Sequence, residues 1–172
     1  MRSILQGSAA PLAALLVSGC TLLGAGGASG SGEGPRSAVH DTRLTTAAAT
    51  VIYVVDGDTV VVDGDVHVRL IGYDTPERDQ CGYAEATAVL RDAVEGESVA
   101  LVNPASVADK DSYGRILRYV VIAGRDVGEL MIESGLAVAR YDGLDGYDWH
   151  VHQDRYRDLD AAHPDLCAPD RS

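Results

Sequence analysis

The stretch that most constrains the fold is "VVDGDTVVVDGDVHVRLIGYDTPE", residues 54–77. Its β-branched runs, parted by Asp-Gly pairs, read as antiparallel strands joined by tight turns. Val66, Val68 and Leu70 alternate with His67 and Arg69, the pattern of a strand with one face on a core. A two-residue turn would set Arg69 opposite Asp58. A three-residue loop pairs Val60 with Val68 and Val62 with Val66, and sets Arg69 opposite Thr59. In either register Asp58, Arg69 and the following Asp74 fall at the same open end of the hairpin. Asp56, Asp63 and Asp65 read as turn residues.

Two converging carboxylates repel unless a cation lies between them. With no His or Cys beside them, Asp58 and Asp74 form a hard-oxygen set that suits Ca²⁺ better than softer metals. Glu77, a little further on, is placed to hold a water. "DGDT" by itself is ordinary turn chemistry and carries little.

The remaining chain supplies the rest of one domain. Residues 49–55 and 58–62, "VHVRLIG", "SVALVNP" and "RILRYVVIAG" read as strands, and "LAVARY" as a last one. "GYAEATAVLRDAVEG" carries Ala86, Val89, Leu90, Ala93 and Val94 at helical spacing before Gly96. "VGELMIESG" reads as a short helix closed by Gly135. A C-terminal helix is expected from an Asp148 N-cap, with Trp149, His152, Tyr156 and Leu159 as its stripe. The expected class is α+β, mainly β: a small five-stranded barrel with about three packed helices.

The N-terminus reads as targeting. Arg2 precedes an apolar run, 10–18, too short to span a bilayer. "VSGC" resembles a lipobox, which implies cleavage after residue 19 and lipidation of Cys20; a plain secretory signal is the alternative. Both place the mature chain outside the cytoplasm. Residues 20–47, rich in Gly, Ser, Ala and Thr, read as a flexible tether to the membrane, and 48–172 as the folded domain. In an oxidising compartment Cys81 and Cys167 are either a disulfide or two buried thiols.

The formal net charge is −12, and residues 1–50 hold only Glu33 and Asp41 against Arg2, Arg36 and Arg43. The folded domain therefore carries the acid. That argues against tight nonspecific binding to nucleic acid, which depends on neutralising phosphates.

Five motifs in order, "VVDGDTVVV", "VRLIGYDTPE", "GYAEAT", "DSYGRILRYV" and "GLAVARY", resemble the staphylococcal nuclease (thermonuclease) family over roughly residues 50–141. The resemblance implies an OB-type barrel and a Ca²⁺-dependent nuclease, a phosphodiesterase acting on DNA and RNA. By the resemblance, Asp58, Asp74 and Thr75 hold calcium and Glu77 is the general base. Arg69 and Arg115 clamp the scissile phosphate, while Tyr113 and Tyr141 line the nucleotide pocket. Lys110 is the nearest cation to a family lysine whose place is Ser112 here. The alternative is a nuclease-like fold that binds nucleic acid or protein without turnover.

Overall fold

The computed structural model describes residues 40–167. The signal segment 1–19, Cys20 with its lipidation, and the tether as far as residue 39 lie outside the described residues.

Strand β1 (Leu44–Asp56) pairs antiparallel with β2 (Thr59–Val62), and β2 with β3 (Val66–Leu70). The β2–β3 register is Thr59↔Arg69, Val60↔Val68 and Val62↔Val66, so the turn is the three-residue loop. Asp65 there adopts φ 59°, a left-handed conformation that Asp tolerates better than most side chains.

After the short β4 (Tyr73–Asp74) and helix α1 (Tyr83–Val94), β5 (Ser98–Pro104) returns along β1. Strand β6 (Ile116–Ile122) pairs antiparallel with β5 and parallel with β3. That last pairing closes the sheet into a barrel, β1-β2-β3-β6-β5. Among the described residues the fold is the expected OB-type α+β barrel with three helices. Closure removes the free sheet edges. A dipeptide strand β7 (Arg125–Asp126) leads into α2 (Val127–Glu133), followed by β8 (Val138–Ala139) and α3 (Gln153–Ala162).

The barrel core is aliphatic: Val51, Val60, Val68, Leu70 and Leu101 are buried. From α1, Ala86, Leu90 and Val94 complete it, the stripe expected from their spacing. α2 carries the Asp126 carboxylate as its N-cap, accepting the Gly128 N–H at 2.7 Å.

Three elements differ from expectation. β1 begins at Leu44, inside the segment read as tether, because residues 44–50 pair one for one with 104–98. Most of their side chains face solvent, so a run of Thr and Ala shows no buried alternation. The C-terminal helix begins at Gln153 after His152, not after Asp148. Asp148 instead accepts the Ala108 N–H at 3.4 Å, and His150 is buried, so this segment is a packed turn. "LAVARY" supplies only the two residues of β8, which pair with β4 outside the barrel.

Candidate active site

Asp58 lies between β1 and β2, Arg69 on β3, and Asp74 on β4, all at the open end of the hairpin. Arg69 Nη2 is 3.1 Å from Asp58 Oδ2 and 3.3 Å from Asp74 Oδ1. The same nitrogen donates to the Tyr73 carbonyl at 3.1 Å, while Nη1 donates to the Leu70 carbonyl at 2.7 Å. Thr75 Oγ1 donates to Asp58 Oδ2 at 3.1 Å. Asp58, Asp74, Thr75 and Arg69 therefore form one cluster.

Asp58 is 7 % exposed. Burial pushes its carboxyl up to about 6; Arg69 opposes that rise, while the charges of Asp56 and Asp74 add to it. A buried carboxylate beside two more is short of positive charge, and one guanidinium serves both Asp58 and Asp74. Two carboxylates and the Thr75 oxygens suit a hard cation that completes its shell with water or substrate oxygens. Among the described residues no group of three or more His, Cys, Asp or Glu is arranged to hold a metal ion.

The cluster is one wall of a cleft of about 920 Å³, near the upper end of the roughly 300–1,000 Å³ of ordinary ligand pockets. Glu77 is exposed on its rim. Its N–H donates to Gln80 Oε1 at 2.8 Å, which fixes the loop that carries it. Arg115 also lines the cleft, with Nε on Asp111 Oδ2 at 2.7 Å and Nη1 on Thr59 Oγ1 at 3.2 Å. Lys110 lines the cleft too and is bridged to Ile116.

Tyr113 is 84 % exposed, with the Arg115 guanidinium 5.4 Å from its ring centroid. Tyr141 lies 5.7 Å from the Arg69 guanidinium and edge-on to Tyr147 at 5.3 Å. Tyr141 has φ 59°, a left-handed backbone that costs a non-glycine residue about 1–3 kcal/mol. Asp145 Oδ2 holds it there by accepting the Tyr141 N–H at 2.8 Å.

All nine residues expected at the site line this cleft. The sequence reading missed Asp56, Asp111, Tyr147 and His150, which line it too. Asp56 was read as a turn residue, and its Oδ1 does accept the Asp58 N–H at 3.2 Å. Asp111 left a signal, an acid four residues before an arginine across "SYG"; Tyr147, in a Gly- and Asp-rich loop, left none. Cys81 and Cys167 are joined as a disulfide.

This geometry accompanies a clear kinship. The model of the staphylococcal nuclease homologue family matches residues 67–160. The chain belongs to that family. Arg69, Asp74, Thr75, Glu77 and Arg115 fall within the matched span, and Asp58 precedes it. A thermonuclease of Staphylococcus hyicus is 30 % identical over 118 residues, 63 % of this chain and 69 % of that protein. An uncharacterised Bacillus anthracis protein is 36 % identical over 107 residues, 57 % of this chain and 50 % of its own length. An uncharacterised endonuclease of Escherichia coli is 34 % identical over 91 residues, 51 % of this chain and 57 % of its own length. The chain thus spans only about half of two of these relatives.

Proposed function

We propose that this protein is a Ca²⁺-dependent nuclease that hydrolyses phosphodiester bonds of DNA and RNA. The observation that carries the reading is one cleft lined by Asp58, Arg69, Asp74, Glu77 and Arg115, in a chain of the nuclease family. Asp58, Asp74 and Thr75 would hold the cation. When bound, it supplies Lewis-acid stabilisation of a phosphate oxygen and lowers the pKa of water.

The chain's own residues do the rest. Attack on a phosphodiester builds negative charge on the phosphoryl oxygens, and the guanidiniums of Arg69 and Arg115 oppose it. Arg69 Nη2 lies against both carboxylates, which hold its guanidinium at the cleft. Glu77, exposed on the rim, takes the proton of the attacking water, a role worth about 10²–10⁴-fold. Tyr113 and Tyr141 offer open aromatic faces for bases. Flexible or single-stranded substrate is favoured because an unpaired strand enters a small barrel's cleft more readily than a duplex. The acidic chain, sequence pI about 4.6, places the affinity in the local cations of the cleft rather than in a basic surface.

The same reading places the domain outside the cytoplasm on a lipid anchor at Cys20. The roles are tested by steady-state hydrolysis of a single-stranded oligonucleotide: Glu77→Gln and Arg115→Ala each lower kcat by about two orders of magnitude or more with the fold intact. Unchanged rates would refute the assigned roles. Detergent-phase partitioning that disappears in Cys20→Ala supports the anchor, and partitioning unaffected by that change refutes it.

A further inference from the structure

We propose that Asp111 and Thr59 are positioning residues that hold Arg115 at a set distance from Asp58 and leave one edge of its guanidinium for the phosphate. The proposal rests on the phosphate-clamping role of Arg115 given above.

Residues 111–115 form a closed turn. The Asp111 N–H donates to the Arg115 carbonyl at 3.0 Å and the Gly114 N–H to the Asp111 carbonyl at 3.1 Å. Gly114 takes φ +84°, where any other residue is strained. The Asp111 side chain ties this turn to the guanidinium it displays. Its Oδ1 accepts the Tyr113 and Arg115 backbone N–H groups at 2.9 and 3.0 Å, and its Oδ2 accepts Arg115 Nε at 2.7 Å. One carboxylate thus sets both the backbone and the side-chain direction of Arg115.

The second anchor comes from β2. Arg115 Nη1 donates to Thr59 Oγ1 at 3.2 Å, and the Thr59 hydroxyl donates to Asp58 Oδ1 at 3.0 Å. Thr59 is 3 % exposed, so this hydroxyl has little access to water as an alternative partner. A continuous chain, Asp111–Arg115–Thr59–Asp58, therefore spans from the turn to the carboxylate cluster.

A guanidinium has five N–H donors. Two are used by Asp111 and Thr59, which leaves the second Nη1 proton and both Nη2 protons. Those form the edge that can grip two phosphate oxygens side by side. A free arginine loses rotamer entropy when it is fixed; here that ordering is complete before substrate arrives.

The turn alone would need only an acceptor at position 111. Asp111→Asn keeps a carbonyl for the two backbone N–H groups and removes the charge that fixes Nε. The test is steady-state hydrolysis of a single-stranded oligonucleotide by the full chain, with Tm measured alongside. Expected for Asp111→Asn is a kcat lowered about tenfold or more, a KM changed much less, and a Tm within a few degrees of wild type. Thr59→Val is expected to share the kinetic signature, and Thr59→Ser, which restores a hydroxyl, to recover most of the rate. Combining Asp111→Asn with Arg115→Ala is expected to be no slower than Arg115→Ala alone, because the positioning residue acts only through the arginine. A near-wild-type kcat in Asp111→Asn, or effects that multiply in the double variant, overturns the proposal while the clamp stands. A wild-type rate in Arg115→Ala overturns the clamp reading and the proposal with it.

Discussion

Thr75 Oγ1 lies 3.1 Å from Asp58 Oδ2, although 17 residues separate them. The contact exists because the chain turns tightly at Gly57, just before Asp58. A Cβ at Gly57 would lie 2.7 Å from Thr75 Oγ1 and 2.9 Å from the Ala86 side chain. Tyr73, fully buried, donates its hydroxyl to the Gly57 carbonyl at 3.2 Å and holds the turn from below. The cluster of Asp58, Thr75 and Asp74 therefore depends on a residue with no side chain.

Gly57→Ala is expected to push Thr75 away from Asp58. Overpacking of this kind costs about 1–3 kcal/mol of stability, and calcium affinity should fall with it. Calcium titration calorimetry of the folded variant checks this; wild-type affinity would show that Thr75 and Asp58 do not act together.

On the proposed function, Asp58 would give calcium binding a pH dependence. Burial, the leading cause, raises its carboxyl from 3.8 to about 6 in the fold. Between those values the folded chain keeps a proton that the unfolded chain has lost. The stabilisation from that proton is therefore present at low pH and lost as pH rises through about 6. Above that pH the ionised, crowded carboxylate gains most from a divalent cation. The calcium-induced rise in Tm is expected to be small at low pH and to grow as Asp58 ionises. Equal rises on both sides of the Asp58 transition would contradict the assignment.

His150 acts in the opposite sense. Burial lowers its pKa from 6.5 to about 4, with its Nδ1 2.9 Å from the Tyr119 hydroxyl. The unfolded chain takes up a proton below about 6.5 that the folded chain refuses until about 4. Its contribution is present above the first value and lost as pH falls towards the second. Thermal melts across this window should show a shallower acid slope in His150→Gln than in wild type. Parallel slopes would place the acid sensitivity elsewhere.

The Cys81–Cys167 disulfide spans 86 residues of sequence. A loop of that size corresponds to about 4.5 kcal/mol in the chain-entropy account. It also braces the loop that carries Glu77: a Cβ at Gly82 would meet Cys167 Sγ at 3.0 Å and Pro76 Cγ at 3.2 Å. Cys81→Ser with Cys167→Ser is expected to lose several kcal/mol in denaturant titrations, about the chain-entropy figure. A loss below 1 kcal/mol would show that the tail is held by packing alone.

The parts of the fold legible in the sequence were those whose side chains alternate against the core. β5 spans the expected seven residues, and Val60, Val62, Val66 and Val68 pair as the three-residue loop requires. The first half of β1 was hidden because its pairing is made by backbone groups whose side chains face water. The start of α3 was misplaced because Asp148 caps a contact with the Ala108 N–H, a partner 40 residues away. At the site, charges flanking the hairpin could be grouped because strand geometry alone brings their ends together. Asp111 and Thr59 could not be, since their roles arise from a bond between the β2–β3 hairpin and a turn that β6 places beside it.

The central claim, a hydrolytic site that needs a divalent cation, is tested most directly by single-turnover cleavage of a single-stranded DNA oligonucleotide with calcium present or chelated. The account predicts cleavage with calcium, loss of cleavage with chelator, and recovery when calcium is restored. No hydrolysis at micromolar enzyme, or equal rates in calcium and in chelator, would contradict it.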